Sequence, residues 1–229
     1  MRRAQHRFEE LLRDADPDAP VPACPGWAVR DLAAHVGAIH RWAAAIVLSG
    51  AMTARSERRA GDPLADWYAG TAQALRAALA AVDPEESTPN FLREDGAAAF
   101  WARRQLHETT VHLHDLEAAL GALHAPIQPE RAADGVDEVL SVFFARLAGR
   151  GSPPDLRGNV RVRATDTGDA WVLEPGRFGE FGAEGVACDA EISGTAHDLY
   201  LVLWGRRSPA ALTVTGDAAA ALLAGPTSL

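Results

Sequence analysis

Apolar residues recur every three or four positions through the first two thirds of the chain and then give way to alternation, so helices should come first and strands later. Phe8, Leu11 and Leu12 mark one face of an amphipathic helix over residues 2–14, and the run DADPDAPVPACPG holds too many prolines to continue it. A second helix is expected after Gly26-Trp27 to about Leu48, with Leu32, Val36, Ile39, Trp42 and Ile46 on one stripe and His35 set among them. GAMTARSERRAGDP reads as a polar loop, and LADWYAGTAQALRAALAAV as a third helix that stops at Asp83-Pro84. The fourth helix should run from Ala97 to about Leu120, with Gly121 closing it. A further helical stretch covers residues 130–147 before the linker GRGSPPDLRGN.

Beyond the linker, NVRVRAT, AWVLEPG and VACDAEISG read as strands, TAHDLYLVLWG as a helix, ALTVTG as a strand and DAAAALLAG as a last short helix. The expected architecture is a helical bundle over residues 1–150 followed by a smaller α+β domain over 151–229.

Composition narrows the class without choosing a function. The 229 residues are 48% hydrophobic, enough for a sizeable core. A net charge of -9 opposes nonspecific binding to a phosphate backbone, so nucleic acid is not an expected partner. Cys24 and Cys188 lie far apart, which favours a reducing compartment over a disulfide framework. The charged opening MRRAQHRFEELLRD has no apolar leader, and no stretch reaches the ~18 consecutive apolar residues of a membrane span, so a cytoplasmic protein is expected.

One helix carries the candidate chemistry. RRQLHETTVHLHDLEAALG sets Glu108, His112 and Asp115 at i, i+4 and i+7 on one face and turns His107 and His114 toward another. Glu108 and His112 can share a metal ion, and His35 on the second helix is the natural third ligand. His40, five residues further on, is rotated by roughly 140° at 100° per residue. Two imidazoles and a carboxylate suit zinc with an open fourth place, and the same set would hold iron or nickel. The competing explanation is that these are hydrogen-bonded core residues, with Asp115 either orienting an imidazole or simply solvated. His107, His114, His124 and His197 are weaker candidates.

PACPGWAVRDLAAHVGAIHRW, FWARRQLHETTVHLHDLEAALG and DLYLVLWGRR followed by VTGD occur in an order that resembles the mycothiol-dependent maleylpyruvate isomerase family, over nearly the whole chain. That resemblance implies a DinB-like metal-binding four-helix bundle with a sterol-carrier-like C-terminal domain, in a family found mainly in actinobacteria. It implies zinc held by His35, Glu108 and His112, with mycothiol as the thiol cosubstrate. It also points to Arg206 as the cation for a substrate carboxylate, with Arg207 as its neighbour and competitor. Cys24 falls in the family's C-P-G-W turn and reads as structural, and Leu113-His114 departs from the family pattern. The implied activity is isomerisation or S-transfer on a small electrophile. The rivals are a noncatalytic metal-stabilised binding module and a metal-dependent hydrolase.

Overall fold

The structure is a computed structural model that describes residues 1–55, 63–183, 185–225 and 227. The chain forms two compact units, Met1–His124 and Ala125–Leu229. The polar loop expected before the third helix falls partly outside the described residues.

Among the described residues the first unit holds four helices, α1 (Arg2–Arg13), α2 (Val29–Ser49), α3 (Leu64–Ala81) and α4 (Ala98–Ala119). Each lies within a few residues of the span that apolar periodicity predicts. α2 starts where the Ala28 amide donates to the Asp31 carboxylate at 2.9 Å, a side chain supplying an acceptor that the first turn lacks. It ends at Gly50, whose positive φ of 65° lets its N–H reach the Ile46 carbonyl. α2 is long and apolar enough to cross a membrane by composition, but Leu32, Val36, Ile46 and Val47 are buried within the fold. Phe8 of α1 stacks on Tyr68 of α3 with ring centroids 4.4 Å apart, and Leu32, Val36 and Leu116 close around them. A second cluster joins Ala43 and Ile46 to Leu75 and Trp101, and the Trp101 indole donates to the Pro89 carbonyl at 2.9 Å. These two clusters hold α2 and α4 side by side, which positions the site.

The second unit begins earlier than the linker implied. α5 (Pro129–Glu138), a π-helical turn (Val139–Phe143) and α6 (Phe144–Gly149) form one continuous helical stretch. α5 packs on α7 (Ala196–Leu203), and Asp137 accepts a hydrogen bond from the Trp171 indole at 3.1 Å. The boundary expected at residue 150 therefore lies at His124–Ala125, because the buried face of α5, with Ala132, Ala133 and Val136, belongs to the mixed unit.

Among the described residues four strands, β1 (Val160–Ala164), β2 (Ala170–Leu173), β3 (Ala190–Gly194) and β4 (Thr213–Thr215), make a sheet in the order β2-β1-β3-β4. β1 is antiparallel to β2 and parallel to β3, and β3 is antiparallel to β4. Val160, Val162, Ala190 and Ile192 share the buried face, while Arg163 pairs with Glu191 across the other at 2.9 Å. β3 starts four residues later than the pattern VACDAEISG predicts, because the Asp189 carboxylate accepts the Asn159 amide and turns the chain into the sheet. α8 (Asp217–Ala224) closes the unit.

Candidate metal centre

α4 carries a row of charged and polar side chains into the bundle. Arg104, Glu108 and His112 stand at successive i+4 steps, and Asp115 follows three residues later on the same face. From α2, His35 meets this row, placing its Nε2 3.1 Å from Glu108 Oε1. His112 Nε2 lies 3.4 Å from the same oxygen. The three donor atoms lie within 4.8 Å of one another. Side-chain exposure is 30% at His35 and 14% at Glu108, so His35 is on the wetter side of the group.

The two separations at Glu108 Oε1 are close to those of a tetrahedral ion, whose donors, about 2.0–2.2 Å from zinc, are themselves about 3.3–3.6 Å apart. His112 is prepared for such a role by Asp115, whose Oδ2 takes the Nδ1 hydrogen at 2.8 Å and leaves Nε2 aimed at the group. Burial by itself would raise the Glu108 carboxyl, but hydrogen bonds from His112 and His35 and the charges of His112 and Arg104 hold it well below the ordinary carboxylate range. Burial likewise opposes a charged His112, and hydrogen bonds to Asp115 and Glu108 with their charges overcome it and raise its pKa. A cation entering the group would compete with a proton for His112.

The other expected residues make contacts of their own. His40 Nε2 faces the Thr109 hydroxyl at 3.1 Å, and since that hydroxyl donates to the Gln105 carbonyl, His40 must be the donor. Burial depresses the His40 pKa to about 3, so it is neutral. His107 is fully buried on another side of α4. The His114 and His124 rings meet at a tilt with centroids 4.2 Å apart, and His124 reaches Glu117 at 3.4 Å. His197 belongs to the second unit, where its Nδ1 accepts the Ile127 amide. Arg206 also belongs there, half-buried after α7, donating to the Trp204 carbonyl at 2.6 Å, while Arg207 pairs with Asp198. His107→Ala is expected to retain bound metal and lose stability, by about 2 kcal/mol or more for the cavity it leaves; metal analysis beside a thermal melt checks this.

Sequence reasoning missed three contributors. Arg104 NH2 donates to Glu108 Oε2 at 3.1 Å. The Cys24 thiol lies 3.7 Å from Asp115 Oδ2, so the C-P-G-W turn touches the carboxylate that orients His112. The Trp27 ring sits 4.9 Å from the His35 ring. The signal for Arg104 was present as its i,i+4 spacing to Glu108.

Comparison with known proteins gives two family matches: residues 1–117 to the mycothiol maleylpyruvate isomerase N-terminal domain, and residues 130–223 to the C-terminal domain of the same family. The crystal structure of the mycothiol-dependent maleylpyruvate isomerase is similar to this chain, with a TM-score of 0.63 and 13% identity, covering 93% of this chain and 89% of that one. A histidine-to-alanine mutant of that isomerase gives a TM-score of 0.62 and 12% identity over the same shares, 93% and 89%. No curated protein matches. At these identities the solved structures show a shared fold, a helical unit followed by a small mixed sheet.

Proposed function

Because the chain belongs to the mycothiol maleylpyruvate isomerase family, we propose that it is a mycothiol-dependent isomerase or S-transferase acting on a small electrophile, with a divalent metal, zinc by the family resemblance, held by His35, Glu108 and His112. The observation that carries this reading is the convergence of two imidazole Nε2 atoms on one Glu108 oxygen at 3.1 and 3.4 Å. A divalent cation there would act as a Lewis acid toward a thiol and favour its deprotonated, nucleophilic form.

The chain's own residues prepare for that chemistry. Asp115 keeps the His112 ring in the tautomer with Nε2 toward the group. With neutral imidazoles, the carboxylates of Glu108 and Asp115 and the guanidinium of Arg104 leave one net negative charge, which a divalent cation and one thiolate would cancel. Addition of the thiolate to an activated double bond, rotation about the resulting single bond and elimination would return the thiol and a rearranged product. Stopping after addition would make a transferase. The role of Arg206 toward a substrate carboxylate is part of the same proposal, as is a reducing cytoplasmic setting in which a thiol cosubstrate persists.

The rivals find less support. A structural zinc site is closed by four protein donors. The residues that would close this one are engaged elsewhere, His40 with Thr109 and Asp115 with His112 Nδ1. A hydrolase needs a carboxylate poised as general base, and both carboxylates of the group are committed, Glu108 to Arg104 and the imidazoles and Asp115 to His112.

The test is metal analysis of protein purified without added metal, followed by titration with a small thiol. About one divalent ion per chain is expected, with its environment perturbed by the thiol. Because the raised pKa of His112 means that a proton leaves as the ion enters, metal affinity should fall as pH drops through that pKa, by roughly tenfold per unit for each displaced proton. Protein that binds no divalent ion when metal is supplied would sink the proposal.

A further inference from the structure

Glu108 has two carboxylate oxygens, and the structure divides them between different tasks. Oε1 faces His35 and His112, whereas Oε2 accepts a hydrogen bond from the Arg104 guanidinium at 3.1 Å. Arg104 is only 3% exposed and stands one turn before Glu108 on α4, with its charge turned into the bundle. A guanidinium cannot shed its proton to relieve burial, so it stays charged and bound to its acceptors.

We infer, on the metal reading above, that Arg104 is a positioning residue: it keeps Glu108 a one-oxygen ligand and so reserves a coordination place for the thiol. A carboxylate on a cation binds through one oxygen or through both, and the outcome depends on what competes for the second. Three protein donor atoms leave a tetrahedral ion one short. If Oε2 were released, the nearest unmet demand for it would be the cation itself, and Glu108 would occupy the place meant for substrate. Arg104 also repels a cation, so its loss should not weaken metal binding. Cation retention together with thiol exclusion is a pairing that a scaffold role would not produce.

Cobalt(II) bound to the full chain reads this directly, because its visible bands report coordination number. Wild type should show the intense bands of a four-coordinate ion, shifting on addition of 2-mercaptoethanol. Arg104→Met should bind cobalt at least as tightly, with band intensity down about twofold or more and the thiol shift lost. Thiol-dependent turnover should fall about 10- to 100-fold, the usual effect of removing a partner of a metal ligand. Arg104→Lys, which keeps the charge and one donor, should restore the bands in part. Unaltered bands and thiol shift in Arg104→Met would overturn the inference, as would loss of fold or parallel loss of cobalt and thiol response in both variants. Absence of cobalt from the wild type would instead sink the metal reading on which the inference rests.

Discussion

Glu108→Ala and His112→Ala are each expected to lose bound metal and, with it, thiol-dependent activity by more than the roughly 100-fold that loss of an outer partner costs. The reason is geometric. Glu108 Oε1 is the point on which both imidazoles converge, so its removal leaves two nitrogens with no shared anion. On the proposed assignment His112 is one of three donors, and it is the one whose orientation is fixed from behind by Asp115. The two variants should differ in stability. Glu108→Ala leaves the buried Arg104 charge without this carboxylate, a change that costs about 3–5 kcal/mol where a buried pair is broken. Glu108→Gln keeps the shape and an oxygen acceptor for Arg104, though not the counter-charge, so it should cost less than alanine and helps to separate loss of metal from loss of fold. The measurement is metal content beside a thermal melt with and without chelator. A ligand bound only by the native state raises its stability in proportion to the logarithm of ligand excess. Chelator should therefore lower the wild-type melting temperature and leave the variants unmoved. Full metal retention in either alanine variant would refute the ligand assignment.

Much of this site was legible because helices obey a simple angular rule. The i,i+4 relation put Glu108 and His112 together on α4, and the apolar stripe around His35 turned that residue into the bundle. The same rule placed His40 away from the group, where the structure finds it against Thr109. What the rule could not reach were contacts between elements. Cys24 meets Asp115 across 91 residues of chain, and neither position hints at the other. Arg104 was hidden differently: an Arg four residues before a Glu on a helix is ordinary surface chemistry, and only its burial makes it part of the site. The boundary was misplaced for a related reason. Proline and glycine in GRGSPPDLRGN mark a break in secondary structure, whereas a unit boundary depends on which core α5 joins, and that is a matter of tertiary packing.

Gly37→Ala should destabilise the bundle and loosen the site together. Gly37 lies two residues after His35 on α2, at the point where α3 lays Trp67 across the helix. Its backbone is ordinary helix, so space and not conformation demands glycine here. A Cβ would overlap Cζ3 and Cη2 of the Trp67 indole. In an open helix the change would gain about 1 kcal/mol of propensity. Against that, overpacking costs about 1–3 kcal/mol and occasionally more, and the half-buried Trp67 ring, packed against the cluster around Phe8 and Tyr68, must shift to admit the methyl. The net expectation is a loss of up to about 2 kcal/mol in denaturant unfolding. If α2 moves to relieve the clash, His35 moves with it, and a metal ligand tolerates displacement of only about 0.2 Å. Metal affinity should then fall as well. Trp67→Phe removes the obstructing ring edge, so in its background Gly37→Ala should cost less, with a coupling energy of about 1 kcal/mol or more. Additive losses from the two substitutions would show that the contact between Gly37 and Trp67 does not set the spacing of α2 and α3, and would leave the position of His35 to the remaining bundle core.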